Sequence, residues 1–391
     1  MEVLQKTGSV SARCESGIGL YVHVPFCSTT CDFCAFYQEK PGKGDFDRYV
    51  DGIAKELELL DRPLPVKTVF WGGGTPGLLP PAQIRRLGAI LKEAADGCIQ
   101  EWTVEMTPGC VKKERLEALS EVGVTRISLG AQSFQPRLLD SLGRMHPREK
   151  IFSAYEKLRA HGFENVNLDL MFALPNQTPE EWALDLAEAV ALGPDHLSTY
   201  CLTFEEDTVL YIQLSEGKIT RDEETEISFY KIAWEKLAEA GFRQYEISNY
   251  ARPGHECVHN LNTWRMCEWI GLGPAGASQY GGRRSSNTAN LDLWLERLDA
   301  GIRSDEQEER LTPELLAADY LIFGLRLNRG VDLGELEERF PCELPEMLLP
   351  AIEQWVREGL AVRSGQNLRL TADGRLVVDR IGMELLEIFD S

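Results

Sequence analysis

The chain has 391 residues, 43% of them hydrophobic and 26% charged, with 62 acidic against 41 basic side chains and a formal net charge of -21. That length exceeds one typical domain and can bury a large core, while the charge balance removes the usual electrostatic basis for holding a phosphate backbone. The first twenty residues, MEVLQKTGSVSARCESGIGL, hold no long apolar run, and no later stretch is long and apolar enough to span a bilayer, so a soluble, cytoplasmic protein without a leader is expected. Ten cysteines, scattered except for one cluster, fit a reducing compartment better than a disulfide framework.

Short apolar, β-branched runs recur along the first 250 residues: GLYVHV (19–24), TVFW (68–71), TVEM (103–106), RISLGAQ (126–132), NVNLDLMF (165–172) and HLSTYCLT (196–203). Each predicts a buried strand. Helical patterns lie between them, from FDRYVDGIAKELELL and PAQIRRLGAILKEAA to EETEISFYKIAWEKLAEAG. The alternation predicts βαβ units around a parallel sheet, closed or partly closed into a barrel, over residues 1–248. From Asn249 to Asn290 the rhythm breaks into a stretch rich in Gly, Asn, Arg and Trp, which predicts a long functional loop or a connecting subdomain over 249–310. Residues 311–391 then read as helix, helix, helix and a turn-linked strand pair, the pattern of a winged helix. With 8 basic and 15 acidic side chains there, a net of -7, the module is expected to pack or cover rather than bind DNA.

Three cysteines fall within eight positions in YVHVPFCSTTCDFCAFYQ (21–38). Chance or structural burial is a poor account of Cys27, Cys31 and Cys34 at a strand end. Zinc, with His23 as a fourth ligand, would normally draw on a second CxxC element that is missing here. An iron–sulfur cluster suits thiolates, and three of them leave one iron open for a chelating amine and carboxylate. The loop FWGGGTPGLL follows the second strand and lets backbone approach a ligand. As a dinucleotide fingerprint, Gly72, Gly74 and Gly77 are weak, because Pro76 interrupts the turn and the acidic residue would be Glu93 in a helix. Gly271, Gly273 and Gly276 are no better, and no Walker loop is present.

Taken in order, CxxxCxxC at the first strand end, WGGGTP at the second, RISLGAQSFQPRLLDSLGRMH, NLDLMFALPNQT, HLSTYCLTFEEDT, YEISNYARPGHECVHN, GLGPAGAS and LTADG resemble the radical S-adenosylmethionine superfamily over nearly the whole chain. Within it the chain resembles the group holding oxygen-independent coproporphyrinogen III oxidase and haem chaperones. The resemblance implies a partial TIM-type (β/α)6 barrel with a smaller C-terminal winged-helix-like domain. It also implies a [4Fe–4S] cluster on Cys27, Cys31 and Cys34, with S-adenosylmethionine on the open iron. By the same resemblance Tyr21 and Phe33 flank the cluster and the adenine, and Gly73, Gly74 and Thr75 line the methionyl amine. Glu105, Gln132, Arg144 and Asp169 would hold the ribose and the carboxylate. Their chemistry suits those roles, since strand-end carboxylates accept from hydroxyls or an ammonium, and arginine grips a carboxylate at two points.

Two activities remain open: oxidative decarboxylation of coproporphyrinogen, or binding haem and delivering it to haem proteins of respiration. The oxidase pattern resembles CxxxCxxCxC, whereas Phe36 stands at the last position here, and the 26 residues before Cys27 leave little room for the oxidase's longer N-terminal extension. Both features favour a haem carrier. Chaperone-type sequences resemble HNxxYW; here HNLNTW runs from His259 to Trp264, with Thr263 in the tyrosine position. His259 is the expected axial haem ligand, Cys257 a bystander, and Trp264 and Trp269 are either porphyrin-stacking or core aromatics. His23 is expected to be a hydrogen-bonded core histidine.

Overall fold

The computed structural model describes residues 17–144, 146–303 and 308–390, and the expectation of no leader falls largely outside them. The first half is strand–helix alternation: β1 (Ile18–Val24), α1 (Asp45–Glu58), β2 (Val66–Gly73), α2 (Pro81–Ala94), β3 (Glu101–Met106), α3 (Lys113–Glu121) and β4 (Arg126–Gln132). It continues with α4 (Pro136–Ser141), α5 (Glu149–Ala160), β5 (Asn165–Phe172), α6 (Pro179–Leu192), β6 (His196–Cys201), α7 (Val209–Ser215) and α8 (Glu223–Glu239). Strands β1 to β6 pair in sequence order and in parallel, which makes the expected six-unit open barrel.

Each strand is two-faced. Leu20, Val22 and Val24, Val69 and Trp71, Val104, Ile127 and Leu129, Val166, Leu168 and Leu170 are at zero exposure, packed in the core that the helices cover. The alternate positions are polar or glycine, such as Tyr21 and His23, Thr68 and Gly72, Glu101 and Glu105, Arg126 and Ser128, Asn167 and Asp169. Period-two alternation sends this second set into the barrel lumen. The lumen is therefore lined largely by buried polar side chains rather than filled as an apolar core.

The segment after α8, expected to be a long loop or a connecting subdomain, is built of short strands and helices. It supplies β7 (Arg243–Gln244), β8 (Asn249–Ala251), α9 (Val258–Trp264), β9 (Trp269–Leu272), β10 (Ala277–Tyr280), β11 (Arg283–Ser286), α10 (Leu291–Asp299) and β12 (Glu309–Arg310). These strands extend the barrel sheet at both edges: β8 runs antiparallel to β6, and β9 runs parallel to β1. Low periodicity in the sequence reflects strands of two to four residues, too short to show a pattern. The turn after β9 crosses the end of β1 so closely that a Cβ on Gly273, at φ +87, would sit 2.5 Å from the His23 carbonyl oxygen. Buried Glu56 on α1 fastens this turn by accepting from Gly273 N–H, Asn287 and Arg303.

The last unit holds α11 (Pro313–Gly324), β13 (Val331–Asp332), α12 (Leu333–Arg339), α13 (Leu348–Arg357), β14 (Ala361–Ser364), β15 (Asn367–Leu370), α14 (Ala372–Leu376) and α15 (Val378–Asp390). Its helix–strand–helix–helix–hairpin order agrees with the winged-helix expectation. It has a core of its own around Leu321, Leu336, Phe340, Ile352, Trp355, Leu368 and Ile381, which Ile247 and Met266 from the barrel side complete.

Candidate functional site

At the C-terminal end of the barrel, β1 runs into the cysteine loop. Backbone bonds from Gly74 to Val24 and from Thr75 to Phe26 zip the glycine loop against it. Further bonds from Asp32 N–H to Leu142 and from Leu210 N–H to Asp32 pin the cysteine loop to neighbouring elements. Cys27 Sγ lies 3.3 Å from the Thr75 hydroxyl. Burial raises the pKa of Cys27 and Cys34, and each also feels the charge of Cys31 and of Arg144. Three thiols within eight positions, with no second CxxC element, suit a polynuclear cluster, in which each binds its own iron, better than four-coordinate zinc.

The glycines have a geometric reason. Gly73 sits at φ +98, and a Cβ there would lie 2.5 Å from the His23 ring. A Cβ on Gly74 would press the carbonyls of Val24 and Phe26 at 2.8 Å. His23 itself is 3% exposed, with Nδ1 3.2 Å from the Tyr21 hydroxyl and Nε2 donating to the Tyr37 carbonyl at 2.9 Å, so it is buried and hydrogen-bonded as expected, on the lumen face of β1.

Opposite the glycine loop, the remaining candidates gather. Glu105 accepts from Gly73 N–H; burial first, and then the Asp169 charge, push its carboxyl up to about 8. Asp169 accepts from Ser128 Oγ at 3.0 Å and Asn167 Nδ2 at 2.8 Å, and burial raises it as well. Gln132 ends β4 beyond a register irregularity, in a left-handed conformation at φ 68 that a non-glycine residue adopts only when its surroundings impose it. A Cβ on Gly130 would lie 3.1 Å from Gln132 Nε2 and 3.5 Å from an Arg144 amino group, so that glycine leaves room for both. Arg144 lies 5.9 Å from the Phe33 ring centroid, and its Nε is buried without a partner. A guanidinium whose buried Nε has no partner on one side and two buried carboxyls on the other complement a zwitterion carrying hydroxyls. Tyr21, Phe33, Gly73, Gly74, Thr75, Glu105, Gln132, Arg144 and Asp169 thus share one end of the barrel with the cysteines, and the donor set fits the cluster and S-adenosylmethionine.

His259 is elsewhere. It lies on α9, 7% exposed, with Nδ1 2.9 Å from Thr68 Oγ1 and its ring 5.3 Å from that of Phe70. Thr68 and its partner Gly19 begin their strands, so His259 faces the floor of the barrel. Gly19 to Cys27 is eight residues, roughly 25 Å of extended chain. Burial, with the Arg126 charge, lowers its pKa to about 4 and keeps the ring neutral. Cys257 is fully buried against Glu101, with its thiol pushed up to about 12, which suits a bystander. Trp264 rests beside Phe323 and Arg326, and Trp269 donates to the Ala277 carbonyl.

Reading the sequence did not single out the floor itself. Glu101 accepts from Val258 and His259 N–H, both at 2.9 Å, and so caps α9 from a strand more than 150 residues earlier. Arg126, 2% exposed, supplies the nearby positive charge. His196 bridges Asn167 at 2.6 Å and the Tyr245 hydroxyl at 2.8 Å. The available signal was a charge opening each of two otherwise apolar runs, EWTVEM and RISLGAQ.

The Radical SAM superfamily model matches residues 21–188, and the HemN C-terminal domain model matches residues 311–377. The heme chaperone HemW of Bacillus subtilis is 31% identical over 92% of this chain and 97% of its own length. The heme chaperone HemW of Mycobacterium tuberculosis is 34% identical over 94% of both chains, and that of Escherichia coli 37% identical over 66% and 68%. Among solved structures, coproporphyrinogen III oxidase (HemN) from Escherichia coli, a radical SAM enzyme, superposes with a TM-score of 0.82 at 25% identity, covering 96% of this chain and 92% of that one. With both family models, full-length relatives and the fold in agreement, the chain belongs to the HemN-like family of the radical SAM superfamily, close to the heme chaperones HemW.

Proposed function

We propose that this protein is a haem chaperone of the radical SAM type, which binds haem and delivers it to haem proteins in a reducing, cytoplasmic setting. The observation that carries the reading is the match to proteins named heme chaperone HemW along nearly the whole of both chains. Phe36 supports it: where the oxidase pattern has a further cysteine, this chain has a ring that is 66% exposed beside the cysteine loop. In this reading Cys27, Cys31 and Cys34 hold a [4Fe–4S] cluster. Arg144 takes the carboxylate of S-adenosylmethionine, Gly73, Gly74 and Thr75 receive its ammonium, and Glu105, Gln132 and Asp169 hold its ribose. Tyr21 and Phe33 flank the cluster and the adenine. When bound, the pair supplies one-electron cleavage of the sulfonium to a deoxyadenosyl radical. The chain's own share is to position the ligand and keep water out of the barrel mouth.

His259 is the proposed axial ligand, and its neutral ring is the form that coordinates iron. Because it is seated against Thr68, α9 must move for it to do so. The 0.82 superposition on the oxidase favours one second reading, decarboxylation of coproporphyrinogen. Anaerobic reconstitution followed by two assays separates them. A haem carrier gives an iron-coordinated absorbance spectrum on haem titration and leaves coproporphyrinogen untouched in the presence of S-adenosylmethionine and a reductant. Decarboxylated porphyrinogen, formed in proportion to S-adenosylmethionine consumed, sinks the chaperone reading.

A further inference from the structure

Where α9 meets the C-terminal unit, Trp264, Arg265, Tyr320, Arg329, Glu335 and Arg339 line a cavity of about 60 Å³. Three guanidinium groups face it against one carboxylate. Arg339 is fully engaged, donating to Glu335 at 2.8 Å and to the carbonyls of Arg265 and Met266 at 3.1 Å. That ion pair also occupies Glu335. Arg265 and Arg329 are left, among the described residues, with no carboxylate at ion-pair distance. Arg265 Nε and Trp264 Nε1 are both buried without a hydrogen-bond partner. Burial, and then the neighbouring Arg329, lower the pKa of Arg265, and the Glu335 charge offsets them only in part.

Two buried donors without partners call for an acceptor, and in a molecule of net charge -21 two arginines side by side with no carboxylate at ion-pair distance among the described residues are a local reversal of sign. The planar fork of arginine matches a carboxylate at two points. Size limits the guest: a water molecule takes roughly 30 Å³ of liquid, so the cavity holds a carboxylate group and not a macrocycle. Arg329 is exposed, which leaves the cavity open to a ligand whose body stays outside.

We propose that Arg265 and Arg329, with Trp264 Nε1, form a carboxylate-binding site between α9 and the C-terminal unit, and that on the haem-carrier reading above its occupant is a propionate arm of the porphyrin. The site then explains why the tryptophan closing HNLNTW lies beside these two arginines. It also places the porphyrin's acidic edge at the junction of the two units.

The test compares the parent with Arg265→Gln/Arg329→Gln, which relieves like-charge crowding and is expected to unfold no earlier than the parent. Haem and its dimethyl ester, which lacks free carboxylates, are each titrated by absorbance. The parent should favour haem by at least about tenfold, as two charge-assisted bonds imply, and the double variant should bind both equally. A preference retained by the double variant overturns the site. Propionate, which has the carboxylate and no macrocycle, gives a second readout: at tens of millimolar it should raise the parent's unfolding midpoint and leave the variant's unmoved. An equal shift in both overturns the site whatever haem does, while a shift confined to the parent, in a protein that binds no haem, keeps the site and sinks the chaperone reading.

Discussion

On the proposed reading, single substitutions at the barrel mouth should separate ligand binding from cluster binding. Arg144→Ala removes a guanidinium whose Nε has no other partner. It should weaken S-adenosylmethionine at least about tenfold by calorimetry while iron and sulfide content stay at the parent's level. Gly74→Val is expected to lose both, because its side chain would press the carbonyls of Val24 and Phe26 beside Cys27. Serine at Cys27, Cys31 or Cys34 should abolish the cluster, whereas serine at Cys98, Cys110, Cys201, Cys257 or Cys342 should retain it; retention in Cys31→Ser would refute the ligand set. Titration at this scale has two opposite signs. His259, lowered to about 4, contributes stability that is present above about pH 6.5 and lost as pH falls through 4, worth about 3 kcal/mol. Glu105, raised to about 8, stabilises as the neutral acid at low pH, and that contribution is lost as pH rises through 8. Denaturant midpoints of the unliganded protein should therefore fall on both limbs. Glu105→Gln should flatten the alkaline one.

Among the elements, α9 is the one that carries His259, the proposed haem ligand. Seven residues cannot form a stable helix by themselves, and this one persists because Glu101 caps its start while Arg339 binds the carbonyls beyond its end. Glu101→Gln weakens the cap without emptying the site and should cost about 1–3 kcal/mol in denaturant unfolding. If His259 is the haem ligand, the same variant should take up more histidine-coordinated haem at a fixed haem concentration, because α9 leaves its seat more readily. An unchanged spectrum would place the iron's ligand elsewhere. Glu101→Ala is harsher, since it leaves Arg126 buried without its neighbour, and a loss nearer about 3–5 kcal/mol is expected.

The whole molecule consists of a barrel sheet and a C-terminal unit that share a seam. Ile247 and Met266 complete the second core, Asn328 bonds Gln244 and Tyr245, and Glu246 bridges to Leu327. Chains of this size often unfold in steps, but a shared core argues for coupling. Urea unfolding should give coincident transitions by tryptophan fluorescence and circular dichroism. Trp355→Ala, at a position 1% exposed, should shift that common transition by about 3–5 kcal/mol. A separate early transition confined to the C-terminal unit would contradict the coupling.

Strand and helix order, the open parallel barrel, the three thiols and the glycine loop were legible in the sequence, because period-two and period-3.6 patterns, turn residues and ligand spacing are local properties. The mouth residues Glu105, Gln132, Arg144 and Asp169 were reached only through resemblance, since a lone polar residue at a strand end carries no local mark of its role. Tertiary structure alone decided three things. It set β9 beside β1 and β8 beside β6, pairings between segments as much as 250 residues apart. It turned the polar face of every strand into one lumen. It also carried His259 to the barrel floor under Glu101 and brought Arg265 against Arg329, because buried charges are placed by long-range packing, which no stretch of chain specifies by itself.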